Sequence, residues 1–190
     1  MKKLLISLML LVGITATAQT EHLTFKGVPI DGTLTSFVSK MKQKGLSLLG
    51  TQDGTAVLKG DFAGYKSCTI AASQHESGIV NRVAVIFPEK DTWTELYGDY
   101  ITIKNLLTQK YGEPADVIEE FQGYSNPSDD NDRMYKAKTD RCKYICDFIN
   151  EKGAIELKII HDELLNCHIS LLYIDAANES KVQSSAIEDL

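Results

Sequence analysis

Hydrophobic and polar positions alternate along most of this chain, and at two places the alternation gives way to a helical period. Leu34, Phe37, Val38 and Met41 recur at i, i+3, i+4 and i+7, the spacing of one buried helix face. Thr33 or Asp31 stands where a cap belongs. Lys40, Lys42 and Lys44 bring positive charge to the end the helix dipole favours, and Gly45 supplies the stop. A longer stripe runs through Trp93, Leu96, Tyr97, Tyr100, Ile103, Leu107 and Tyr111. Thr92-Trp93-Thr94-Glu95 reads as a capping box before it, and Gly112 and Pro114 end it.

The remaining segments read as strands. Residues 22–30 predict a short strand broken by Pro29, and residues 46–49 form a brief apolar run. Residues 55–62 and 65–74 alternate, with turns at Gln52-Asp53-Gly54 and Ala63-Gly64, and residues 80–87 become apolar on both faces. After the second helix, residues 116–121, 144–149, 154–161 and 167–175 repeat the pattern. Residues 122–132 read as a polar loop, and residues 177–190 as a polar, aperiodic and disordered tail. Short strands with short turns indicate an antiparallel meander. The expectation is an α+β fold in which two amphipathic helices pack on one face of an antiparallel sheet, in the manner of two tandem α-βββ units. A single domain over residues 19–176 follows, divisible into halves 19–90 and 91–176.

The N-terminus changes the setting. Met1-Lys2-Lys3, the apolar run Leu4 to Val12 and Ala16-Thr17-Ala18 have the three parts of a secretory signal peptide, residues 1–18. The run is about half of the roughly 20 residues a membrane span needs, so no anchor is expected after cleavage. The mature protein is expected in the periplasm or outside the cell. The whole chain has 20 basic and 26 acidic residues, a net charge of −6, and the leader takes two lysines with it. An acidic chain without a basic cluster argues against nucleic acid or anionic lipid as a partner.

Candidate chemistry is sparse. Cys142, His161 and Cys167 are expected at one end of a meander, yet there is no C-x₂-C pair to suggest zinc. An extended segment would hold Cys142 and Cys146 roughly 13 Å apart, which excludes that bridge. Cys142 with Cys167 is the candidate disulfide. Two strands flanking a third stand near 10 Å apart, so free thiols are the alternative. The acidic loop Asn126–Asp132 fails the EF-hand template counted from Asp129 or from Asp130. Ser73, His75 and Glu76 share a connection between strands, without the G-x-S-x-G turn that exposes a nucleophile. Glu119-Glu120 point to opposite faces of a strand, and Gly60-x₃-Gly64 is a turn. No catalytic residue, metal ligand or cofactor is assigned. Trp93, Tyr97 and Tyr100 read as core, while Tyr65 and Tyr124, in turns, are candidate exposed contacts for a partner.

Three segments carry a resemblance: FKGVPIDG at residues 25–32, LKGDFAGY at 58–65 and LLTQKYGEP at 106–114. They are similar to stretches of small secreted bacterial proteins of unknown function. The repeated helix-then-meander order also resembles the β-lactamase-inhibitor-protein fold, which small envelope-assembly lipoproteins share. This chain lacks the lipid-bearing Cys of those lipoproteins. The resemblance implies a protein-binding scaffold, and the expected function is non-enzymatic binding of a protein partner. The alternative is an envelope hydrolase acting on peptide or glycan.

Overall fold

Every alternating segment becomes a strand. The computed structural model describes residues 21–123 and 126–188, so the expected leader and Tyr124 lie outside the described residues. In chain order the elements are β1 (Thr24–Phe25), β2 (Val28–Pro29), α1 (Leu34–Gln43), β3 (Ser47–Gln52), β4 (Thr55–Phe62), β5 (Tyr65–Gln74), β6 (Val80–Ile86), α2 (Trp93–Tyr111), β7 (Asp116–Phe121), α3 (Asp130–Lys138), β8 (Cys142–Asn150), β9 (Gly153–His161), β10 (Cys167–Asp175) and α4 (Ala176–Glu188).

Both expected helices start where their caps predict. The Thr33 hydroxyl accepts from the Ser36 amide at 3.3 Å, and the Thr92 hydroxyl from the Glu95 amide at 3.3 Å. Residues 22–30 differ from expectation. They form a two-stranded hairpin rather than one strand, because Lys26 and Gly27 both take positive φ (49° and 75°) and reverse the chain.

The other eight strands make one antiparallel sheet in the order β3-β4-β5-β6-β10-β9-β8-β7. Two four-stranded meanders therefore meet edge to edge at β6 and β10, with Val85 opposite Leu171 and Val83 opposite Tyr173. The chain before α2 and the chain after it contribute four strands each to this sheet.

Alternation decides what is buried. Ala56 and Leu58 on β4, Ile70 and Ala72 on β5, Val83 and Val85 on β6, Leu157 on β9 and Leu171 on β10 are at most 1% exposed. The intervening residues of the same strands, such as Val57, Ala71, Ala84 and Leu172, remain partly exposed. α1 contributes Phe37 and Met41 to the core, and α2 contributes Leu96, Tyr100 and Ile103. Each fully buried side chain of this size stabilises the fold by about 1.5–3 kcal/mol.

Two helices were not legible in the sequence pattern. α3 occupies part of the expected polar loop and the unassigned residues after it. Asp129 caps it by accepting from the Asp132 amide at 2.9 Å, and only Met134, Lys136 and Ala137 are buried. Residues 176–188, where the pattern predicts an aperiodic tail, form α4. There the buried Asn178 side chain donates to the carbonyls of Ile30 (3.0 Å) and Val80 (3.1 Å), and Glu179 pairs with Arg82 at 2.5 Å. Polar anchoring replaces the apolar stripe that the periodicity lacks.

Candidate functional site

The cysteines and histidines do converge at one end of the sheet. Cys167 pairs with His161 across β10 and β9. Extending the β8–β9 register from Ile145 opposite Lys158 sets Cys142 across from His161. All four cysteines are free thiols, and no disulfide joins Cys142 to Cys167, which β9 separates. Burial, then the nearby Cys167, pushes the Cys142 thiol up to about 12. A protonated thiol is a poor nucleophile and a poor metal ligand.

His161 is committed in the same way. Its Nδ1 lies 2.9 Å from the Asp162 carbonyl oxygen and its Nε2 lies 3.0 Å from Asp140 Oδ1. A carbonyl can only accept, so Nδ1 donates. The carboxylate then favours a second proton on Nε2. The His161 pKa is accordingly raised, first by the Asp162 carbonyl and further by Asp140. With both nitrogens engaged, this imidazole cannot take a proton from Cys142. These residues line a cavity of about 430 Å³ with Ala137, Tyr144 and Lys158. His168 belongs to the same end, with Nδ1 2.9 Å from the Phe87 carbonyl oxygen and Nε2 3.7 Å from Asp162. Among the described residues, no group of three or more His, Cys, Asp or Glu is arranged to hold a metal ion.

The other sequence candidates are spent on structure. Ser73 shares a hydrogen bond with Thr55 at 3.0 Å, and His75 Nδ1 accepts from the Ser77 amide at 3.5 Å. They do not form a dyad. Asp129 and Asp132 cap α3 and its entry, and Asp130 accepts from the amides of Trp93 (3.1 Å) and Thr94 (2.9 Å) at the start of α2. Glu119 pairs with Lys104 at 2.5 Å. Trp93 and Tyr100 are buried and pack against Tyr144, with ring centroids 5.1 and 5.7 Å away, so the stripe is core. Tyr97, at its edge, is 37% exposed.

Tyr65 is corrected as an exposed contact. Its ring meets Phe87 edge-on at 5.0 Å and its hydroxyl donates to Asp99 at 3.0 Å, because the β4–β5 turn folds it back over the core. Burial and Asp99 push its pKa up to about 12.

Two surfaces among the described residues combine apolar side chains with exposure. The first is the partly exposed side of the sheet. Its cross-strand ladders join Ala71 to Ala84 and Leu172, and Ile118 to Ile145. Ile149, on the same side, is 67% exposed. A row of carboxylates crosses it as well, since Asp116 opposes Asp147 and Asp147 opposes Glu156. Burial, with Asp116 next, raises the Asp147 pKa. Only the register reveals this row; nothing in the linear spacing marks it.

The second surface is a groove between α1 and the edge strand β3. Leu34, Val38 and Leu48 give it an apolar floor, with Ser39, Lys42 and Thr51 at its rim, and it encloses about 270 Å³.

The chain matches no protein-family model, no curated protein and no solved structure. No helix among the described residues is long and apolar enough to cross a membrane.

Proposed function

We propose that this is a secreted or periplasmic, non-enzymatic binding protein whose partner is another protein. On this reading α1 and α2 pack on one face of the sheet, as two tandem helix-plus-meander units resembling the β-lactamase-inhibitor-protein arrangement, and the opposite face meets the partner. The observation that carries it is the partly exposed ladder Ala71–Ala84–Leu172 with Ile118, Ile145 and Ile149 alongside. Small and β-branched side chains on a broad sheet, interrupted by Asp147, Glu156 and Lys158, supply an apolar surface with polar relief. The committed hydrogen bonds of His161 and the protonated thiol of Cys142 add support, since neither group is free for catalysis.

The test is affinity capture from envelope and secreted fractions with residues 19–190, beside a Leu172→Asp, Ile145→Lys variant. One saturable protein partner, lost with the variant, supports the reading. Partners that the variant retains, or none, sink it.

A hydrolase acting on glycan is the second reading, favoured by Asp147 with its raised pKa beside Asp116. Release of sugar from envelope glycan, abolished by Asp147→Asn, would establish it instead.

A further inference from the structure

The eight-stranded sheet has two edges, and they are built differently. β7 carries Asp116, Glu119 and Glu120 within six residues, charges that discourage another strand from pairing. β3 has the sequence SLLGTQ, with no charge and no proline. Its register shift between Leu48 and Gly50 swings Leu49 out to 62% exposure and leaves Gly50 to Gln52 as regular edge. Among the described residues no further strand of the sheet lies beyond them, and the groove whose floor is Leu34, Val38 and Leu48 adjoins them.

We propose that β3 and α1 together receive an extended acidic segment of a partner protein, added to the sheet as a ninth strand. Main-chain hydrogen bonds to an exposed edge give such a complex its affinity, and alternate side chains give it specificity. A strand laid beside β3 would drop every second side chain into the groove, where an aliphatic one suits the floor. The charge identifies the occupant. Residues 33–52 contain Lys40, Lys42 and Lys44 and no acidic residue, within a chain of net charge −6. Lys42 stands on the rim of the groove itself. A second copy pairing β3 with β3 would bring two such lysine sets together, so self-association is disfavoured. This surface is separate from the partly exposed sheet face, and its failure leaves that reading standing.

The experiment titrates residues 19–190 with an eight-residue peptide alternating glutamate and valine, followed by backbone amide NMR. Comparison ligands are the lysine–valine counterpart and the same acidic peptide N-methylated at alternate amides. The expected result is shifts confined to α1 and β3, weakened by salt. N-methylation should abolish binding, and a Lys40→Glu, Lys42→Glu variant that keeps the native circular dichroism should weaken it about tenfold or more. Shifts elsewhere, no shift at all, or undiminished binding by the lysine or N-methylated peptide overturns the proposal. A concentration-dependent dimer in sedimentation, lost on altering β3, overturns it in favour of a second copy.

Discussion

His22 Nδ1 lies 2.9 Å from Oδ1 of Asp175, a carboxylate with no exposed surface at the end of β10. The same carboxylate accepts from the amide of Leu23 at 2.8 Å and from the amide of Asn178 at 2.9 Å. One side chain therefore fastens the start of the described chain, the last strand and the first turn of α4. Replacing it by alanine leaves two buried amides without acceptors, at about 1–3 kcal/mol each. Asp175→Ala should lower stability by roughly 3 kcal/mol or more in urea unfolding, and Asp175→Asn by less. An unchanged midpoint for the alanine variant would refute the fastening role.

Gly153 opens β9 at φ 149°, and a Cβ there would collide with the carbonyl oxygen of Ile174 and approach Leu23 Cδ1 to 2.7 Å. Backbone cannot yield as a flexible side chain can. Gly153→Ala is expected to cost about 3 kcal/mol, at the upper end of overpacking, whereas Gly98→Ala, which meets nothing within 4 Å, should not destabilise. Thermal unfolding of the two variants side by side is the check.

The raised pKa of His161 sets a pH dependence of known sign. A folded pKa above the unfolded value means the stabilisation is complete below about pH 6.5 and disappears as pH rises through the folded pKa. Histidine NMR titration should show the His161 midpoint shifted upward, and Asp140→Asn should return it toward the ordinary value. The His161→Gln variant should lose more stability at pH 5.5 than at pH 8.5. The opposite ordering would contradict the two-acceptor geometry.

Asp147 runs the other way from a salt-bridged carboxylate. Its pKa is raised by burial and by Asp116, so the folded state holds that proton more tightly than the unfolded chain does. Stability then falls as pH rises from the ordinary carboxylate range through the folded pKa. Asp147→Asn should be more stable than the natural protein at pH 7, with the advantage shrinking toward pH 4. Differential scanning calorimetry at the two pH values decides it.

Asp130 links two helices, capping the start of α2 from the first turn of α3 through Trp93, Thr94 and the Thr94 hydroxyl at 2.6 Å. Its pKa is lowered, first by the Thr94 side chain, so its contribution is present at neutral pH and lost as pH falls through the folded value. Asp130→Ala should lower the melting temperature at pH 7 and make little difference at pH 2.

Strand positions were readable from the chain because alternation is a local signal. Residues 55–62, 65–74, 116–121 and 167–175 emerge with the expected bounds. α1 and α2 were equally plain, each with an apolar stripe of helical period and a threonine cap. α3 escaped because only Met134 and Ala137 mark its buried side, although Asp129 with Asp132 and the lysines near its end formed a usable capping and dipole pattern. α4 rests on Asn178 and Glu179, whose partners Ile30, Val80 and Arg82 lie about a hundred residues away or more. The convergence of Cys142, His161 and Cys167 could be anticipated from a meander. The carboxylate row, the Asp140–His161 pair and the contrast between the two sheet edges depend on strand order and three-dimensional placement, which local patterning does not carry.

The seam between β6 and β10 joins residues 82–86 to residues 170–174, at nearly the opposite end of the chain. As the chain leaves a ribosome, β6 emerges long before the strand that shields its backbone exists. Until β10 arrives, the amino-terminal half presents a second bare edge, rich in Val83 and Val85, to any neighbouring chain. Closing so distant a pair is slow, and the early half is the species most open to misassembly. A chain held extended until residues 170–174 have emerged avoids that hazard, so folding once the whole sheet is available suits this topology better than folding strand by strand.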